Sequence, residues 1–257
     1  MKTSLRLALA VLALPCAAQA AEPIKIATDA TYPPFEYIDA AGKLAGFEVD
    51  LANALCKEMN TPCEVVNQPW DGLIPGLSVK KFDAIMASMN ITEERKKAVD
   101  FSKVYYFMQN RFVAKKGASS KIDAAAMKSK AIAVQTGTPQ ERFVTREFGK
   151  SATIKRYVNA QDPMLELASG RVDYTFGNTV QLQKGFLETQ KGQGFEFVGP
   201  VFDGRRDKVL GEGVAVALRK NDGELKARFD KAIDAVKQKG IFQQLLQKHG
   251  LKGLLEG

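Results

Sequence analysis

Short apolar, β-branched runs alternate with amphipathic stretches along almost the whole chain, and no other property of the sequence narrows the choice of fold so far. The runs are Ile24 to Thr28, Cys63 to Asn67, Ala84 to Ser88, Arg111 to Lys115, Ala131 to Gln135, Val172 to Phe176 and Val214 to Leu218. Each is too short for a buried helix, so each is expected as a strand. Helical periodicity fills the gaps. Phe47, Leu51, Leu55 and Met59 recur every four residues, while Asp50, Asn53 and Glu58 fall on the opposite face. Leu225, Phe229, Ile233 and Val236 form a second stripe, expected to start at an Asp222 cap and to stop at Gly240. Repetition of this kind gives an α/β fold of mainly parallel sheets flanked by helices.

A chain of 257 residues, 45% hydrophobic and 26% charged, is an ordinary globular sequence with room for one large domain or two small ones. Two segments break the alternation: the extended aromatic run Val104 to Asn110, and the polar stretch Phe202 to Gly211. If the chain crosses twice, one lobe spans 22–107 plus 212–257 and a second spans 111–202, with 108–110 and 203–211 as hinge connections. A single doubly wound sheet also fits the composition.

Residues 1–20 are set apart. Lys2 and Arg6 precede an apolar run from Leu7 to Leu14, and Ala18-Gln19-Ala20 stands ahead of Ala21, as in a secretory signal peptide cleaved after Ala20. Neither that run nor any later one approaches the ~20 apolar residues of a membrane helix. An exported, soluble protein is therefore expected. Cleavage would remove Cys16 and leave Cys56 and Cys63, which an oxidising compartment favours as a disulfide, two buried free thiols being the alternative. One histidine and two cysteines do not supply a zinc site, and no metal or cofactor is expected. Without Lys2 and Arg6 the formal charge falls from +8 to +6, and it is scattered among acids, which excludes the clustered basic stripe of a nucleic-acid binder.

Catalytic signatures are missing from the sequence: there is no G-x-S-x-G, H-E-x-x-H, P-loop or G-x-G-x-x-G pattern. His249 ends the amphipathic segment 240–249 and reads as a surface residue complementing a helix dipole, not as a general base. Three junctions nevertheless carry more polar and aromatic residues than a core needs. Thr28 to Phe35 places Asp29 at the carboxyl end of a strand, where α/β sheets take their ligands, although a Pro-Pro turn with a capping Asp accounts for it equally. After Ser88 the chain runs through Asn90 to Thr92, a good N-cap, and to Glu93 and Glu94, which suit a first helical turn. Arg95 does not suit it. A bound carboxylate, with peptide N–H groups near Ser88 and Asn90 as further donors, would explain that guanidinium, as would a salt bridge to an acid such as Asp100. At the third junction Thr138 is the N-cap and Pro139 the first helical residue, either an anion site or a well-capped helix with no ligand. Trp70, the one tryptophan, is a core anchor or an aromatic wall over a ligand.

The segments TDATYPPF, GFEVDLANALCKEM, WDGLIPGL, FDAIMASMNITEERKKAVDFSKVYY, AVQTGTPQE and GEGVAVALRK, in that order, closely resemble the periplasmic polar amino-acid-binding proteins of ABC importers, especially the lysine/arginine/ornithine and histidine binders. The resemblance implies a type II periplasmic-binding-protein fold, two α/β lobes on two hinge strands that close on a ligand. It implies a Cys56–Cys63 disulfide, a monomer, an inner-membrane ABC permease as partner and no enzymatic activity. Carried over by position, Arg95 would clamp the ligand's α-carboxylate with N–H groups around Ser88, Asn90 and Thr138, and Ala87 would line the same wall. Tyr32 and Trp70 would sandwich the ligand side chain, and Asp29 and Gln140 would add polar contacts.

Two positions depart from that pattern. Asn178 stands where most amino-acid binders carry an Asp for the α-ammonium, a charge-assisted bond worth about 1.5–3 kcal/mol. Pro139 brings no N–H toward the carboxylate. The expected ligand is a polar or cationic amino acid or a close derivative; the alternatives are an opine, an amine or another modified amino acid. A cyclohexadienyl-dehydratase-like enzyme on the same scaffold is a remoter alternative, and Asn178 occupies the position best suited to its general acid.

Overall fold

A computed structural model describes residues 22–255, so the expected signal peptide, its cleavage after Ala20 and Cys16 lie outside the described residues. The apolar runs assemble into two five-stranded sheets. The first has the spatial order Cys63–Asn67, Ile24–Thr28, Ala84–Ile85, Ala217–Arg219, Val99–Phe101. The second has the order Thr153–Tyr157, Ala131–Gln135, Tyr174–Asn178, Asn110–Lys115, Phe195–Phe202. In each sheet four strands run one way and one is reversed: Ala217–Arg219 in the first and Asn110–Lys115 in the second. The reversed strand is the one by which the chain arrives from the other sheet. A strand that starts at the crossing must run away from it, whereas the other four aim their carboxyl ends toward it.

Both faces of each sheet are covered, as strands of this composition require. Ile26 and Ala84 pack beneath Phe47, Leu51, Phe229 and Ile233, while their neighbours Ala27 and Ile85 face Leu73 and Leu77. In the second sheet Phe112, Ile132 and Phe176 meet Phe143 and Phe148, and Val113 and Ala133 meet Met164, Leu167 and Phe186. The period-two alternation read from sequence thus divides each sheet between two cores.

Several boundaries move. The run from Ala84 to Ser88 pairs as a strand only at Ala84–Ile85. Beyond it the backbone leaves the ladder, and Ile91 N–H donates to Gly213 O (2.8 Å) and Ala215 N–H to Met89 O (3.3 Å). The expected strand from Val172 begins at Tyr174, and the one from Val214 begins at Ala217. Asp222 does precede the helix Gly223–Gln238 but makes no side-chain cap; its carboxylate accepts from Arg219 Nη2 at 3.3 Å instead, because a guanidinium outcompetes a peptide N–H. Thr31–Tyr32, Glu36–Ile38 and Leu44–Ala45 form a small antiparallel sheet too short to register as alternation. Among the described residues no helix is long and apolar enough to cross a membrane.

Cys56, near the end of helix Phe47–Glu58, is bonded to Cys63 at the start of the adjoining strand, with Cα atoms 6.0 Å apart. Closing a loop this short restricts the unfolded chain by about 2–3 kcal/mol in the chain-entropy account. The Cys56→Ser/Cys63→Ser protein is expected to lose that much stability in urea unfolding while its affinity for ligand stays unchanged, since the bond lies away from the cleft described next.

The two chain crossings lie against each other. Tyr105 N–H donates to Val214 O (3.0 Å) and Val214 N–H to Tyr106 O (2.8 Å), and Val214 also bridges to Asn90. Val209 and Leu210, near the end of the return connection, pack in the core of the second sheet.

Candidate ligand-binding site

The carboxyl ends of both sheets face one another across a cleft, with about 650 Å³ unfilled by atoms, counting the part open to solvent. All of the sequence-derived candidates except Asn178 line it: Asp29, Tyr32, Trp70, Ala87, Ser88, Asn90 and Arg95 from the first body, Thr138 and Gln140 from the second. Met108, Met164 and Phe176 add apolar surface.

Arg95 enters the cleft because its helix, Glu93–Ala98, starts at Thr92, whose Oγ1 accepts from Arg95 N–H at 3.3 Å. The side chain is 7% exposed. Its Nη1 donates to Asn90 O (2.8 Å) and its Nη2 to Gly137 O (3.4 Å), and the guanidinium lies 5.0 Å from the centre of the Trp70 ring. Among the described residues it has no acidic partner, so the sequence alternative of a bridge to Asp100 is not realised. Burial pulls its pKa down to about 10, which leaves it charged at neutral pH. An ion withdrawn from water with no counterion is costly, and an anion entering the cleft relieves that cost.

The walls are set by local geometry. Ser88 has φ +51°, a left-handed conformation uncommon for a non-glycine residue, which turns the chain just beyond the strand Ala84–Ile85. Trp70 is half-buried, packs against the Leu73 core and donates through Nε1 to Gly137 O at 3.3 Å. Thr138 caps the helix Pro139–Phe148 by accepting from Glu141 N–H (3.1 Å). Gln140 is buried and donates to Asn110 Oδ1 (2.8 Å). Asp29 accepts from Thr31 Oγ1 (3.0 Å) and from Gln135 Nε2 across the cleft (3.4 Å); burial raises its pKa against those two bonds. Further contacts join the two bodies at the rim: Ala160 N–H donates to Thr31 Oγ1 (3.4 Å), and Arg142 pairs with Glu94.

Asn178 is buried, yet it does not line the cleft. Its Oδ1 accepts from Gln181 N–H (2.9 Å), capping the short helix Thr179–Leu182, and its Nδ2 donates to Gln109 O (3.4 Å). Gly177 and Gln181 present themselves to the cleft in its place. His249 also differs from its reading as a surface residue: its side chain is 12% exposed, with Nε2 2.6 Å from Asp50 Oδ2 and the ring edge-on to Phe47.

Sequence reasoning missed two acids. Glu36 lines the cleft at 1% exposure, and burial, with Glu48 and Asp29 nearby, pushes its pKa well above the usual carboxylate range. Glu48, equally buried, accepts from the hydroxyls of Tyr105 and Tyr106 (both 2.8 Å), and burial raises it to about 7. A signal was present: Glu36 sits between Phe35 and Tyr37, and Glu48 adjoins the apolar stripe of its helix.

The cleft between the carboxyl ends of the two α/β bodies is thus polar and aromatic, with the Arg95 guanidinium buried in its wall. The chain belongs to the bacterial extracellular solute-binding proteins, family 3, whose profile matches residues 24–252. It is 44% identical over 244 residues to the L-arginine-binding protein of Pseudomonas aeruginosa, covering 95% of this chain and 93% of that one. It is 37% identical over 227 residues to the histidine-binding periplasmic protein of Salmonella typhimurium, covering 88% and 86% respectively. Among solved structures, an ancestral arginine-binding protein bound to arginine superposes with a TM-score of 0.81 at 33% identity, covering 90% of this chain and 99% of that one.

Proposed function

We propose that the protein captures a polar or cationic amino acid, or a close derivative, by closing its lobes around it in the periplasm, and delivers it unchanged, as a monomer, to an ABC permease. The observation that carries this reading is Arg95: a buried, charged guanidinium with no acidic partner among the described residues, lining a cleft. Its remaining N–H groups take the α-carboxylate, with Ser88, Asn90 and Thr138 around it. Glu36 and Asp29 supply negative charge for a cationic side chain, and the aromatic rings of Tyr32 and Trp70 supply its apolar walls. The relatives named for arginine and histidine support the cationic class. The lobes move about Phe107 to Asn110 and Gly211 to Gly213, because a ligand touching both favours the closed state.

A ligand with a substituted α-nitrogen, such as an opine, is the second reading. Asn178 favours it, since that side chain is spent on a helix cap and offers no charge to an ammonium. Ligand-free, refolded protein tested by thermal shift and calorimetry decides between the two. Arginine, lysine, ornithine or histidine at 100 times its Kd is expected to add about 2.7 kcal/mol of stability. Stabilisation by opines alone selects the second reading, and stabilisation by carboxylate-free polyamines alone refutes both.

A further inference from the structure

Behind the cleft, five side chains form a continuous hydrogen-bonded chain of four contacts. Ser88 Oγ lies 3.2 Å from Glu36 Oε2 and 3.0 Å from Tyr106 Oη; Tyr106 Oη lies 2.8 Å from Glu48 Oε1, and Tyr105 Oη lies 2.8 Å from Glu48 Oε2. Each of these contacts needs one proton between its two oxygens. The hydroxyls of Ser88, Tyr105 and Tyr106 supply one each, which leaves one contact without a proton if both carboxyls are ionised. One proton on either carboxyl closes the count. Glu48 already accepts from both tyrosine hydroxyls and from the Ser88 backbone N–H, whereas Glu36 has Ser88 Oγ alone, so the proton is assigned to Glu36: it donates to Ser88, Ser88 donates to Tyr106, and both tyrosines donate to Glu48.

The surroundings agree with that assignment. Glu36 faces Asp29 beyond strand Ile24–Thr28, Tyr32 on the neighbouring strand, Glu48 on helix Phe47–Glu58, and Tyr105 and Tyr106 on the crossing. Arg95, the one cationic side chain among the described lining residues, is bonded to the carbonyls of Asn90 and Gly137. Two ionised carboxylates buried side by side with no cation are disfavoured by both desolvation and repulsion.

We infer that Glu36 holds this extra proton in the ligand-free protein and loses it to solvent when a cationic ligand side chain arrives, so that Glu36 sorts cationic from neutral polar ligands. Ionised, it pairs with a guanidinium or ammonium; protonated, it tolerates an amide. On deprotonation Ser88 turns its hydroxyl to Glu36, and the Ser88–Tyr106 contact gives up its proton. The inference rests on the proposed reading of the cleft as an amino-acid site and adds that binding is coupled to a proton.

The sign follows from linkage. The cation lowers the pKa of Glu36, so affinity for a cationic ligand rises with pH between the bound and free values, by up to about tenfold per pH unit. A neutral ligand leaves the proton in place and shows no such slope. Calorimetry with arginine and glutamine, in phosphate and in Tris between pH 5.5 and 7.5, reads both quantities. Arginine is expected to release close to one proton, and glutamine none. In Glu36→Gln the arginine-linked proton release disappears. Arginine binding by the wild type without proton release throughout that range overturns the inference. Infrared spectra of ligand-free protein carrying 13C-labelled glutamate test the proton without any ligand. A carboxylic C=O band at pH 7 that loses intensity in Glu36→Gln is expected, the remainder belonging to Glu48, and a band of equal intensity in the two proteins overturns the inference whichever solutes bind. If that loss is seen and no amino acid binds, the reading of the cleft fails while the proton assignment stands.

Discussion

Arg95→Ala is expected to weaken every carboxylate-bearing ligand by between about a hundred and several thousand fold, the equivalent of about 3–5 kcal/mol for breaking a buried ion pair. The ligand-free protein should behave in the opposite sense. There the guanidinium keeps Asn90 O of its own body as a partner, while Gly137 O, on the other body, is in reach only when the lobes are closed; with no acidic partner among the described residues, its removal deletes an uncompensated buried charge. A melting temperature equal to or above wild type, together with lost binding in calorimetry, is the signature of a ligand clamp. A large fall in melting temperature with affinity intact would make Arg95 a structural residue and remove the basis of the proposed function. Arg95→Lys separates charge from shape: an ammonium retains the attraction but not the planar fork, so it should recover only part of the lost affinity.

Gly213→Ala is expected to cost roughly 2–6 kcal/mol, combining backbone strain of about 1–3 kcal/mol with overpacking of similar size. Gly213 has φ +114°, and a Cβ there would stand 2.6 Å from Val104 Cγ1 and 3.1 Å from the Phe107 ring. Gly211 is held as tightly: at φ +97° its Cβ would meet Asn90 Cβ at 2.7 Å and Ile91 O at 2.8 Å. Gly211 presses the return connection onto the Asn90–Ile91 segment, one wall of the cleft, and Gly213 presses it onto Val104 and Phe107 while its carbonyl accepts from Ile91 N–H. Substitution there should therefore lower stability in urea unfolding and weaken binding together. Gly223→Ala is the matched control. It opens the helix Gly223–Gln238 in ordinary backbone, with nothing within 4 Å of the added carbon, and should be neutral or mildly stabilising.

The parts of the fold legible in the sequence are those in which one face of an element is apolar over several residues. Ile24–Thr28 and Ala131–Gln135 emerge with the bounds their composition suggests, and so do the caps Thr92 and Thr138, whose hydroxyls meet the N–H three residues on. Arg95 was legible for a different reason: a cation in a first helical turn conflicts with its local field, and such conflicts concentrate at functional sites. Glu36 and Glu48 stayed hidden because their role depends on Ser88, Tyr105 and Tyr106 coming alongside from distant segments, which no local window contains. Asn178 was noticed as a departure from a pattern, but its turn away from the cleft follows from a cap with Gln181 that competes locally for its side chain. Asp222 shows the same competition resolved in favour of Arg219.

The reversed strand Ala217–Arg219 has a consequence for how the chain comes into being. It alone joins Ala84–Ile85 to Val99–Phe101, so until it arrives the first sheet is a three-strand fragment beside an orphan strand. During synthesis the first sheet must wait until Ala217 has left the ribosome, by which time the whole of the second sheet has emerged. Contacts so distant along the chain are slow to form. The topology itself therefore delays completion of the first sheet until the chain is nearly finished.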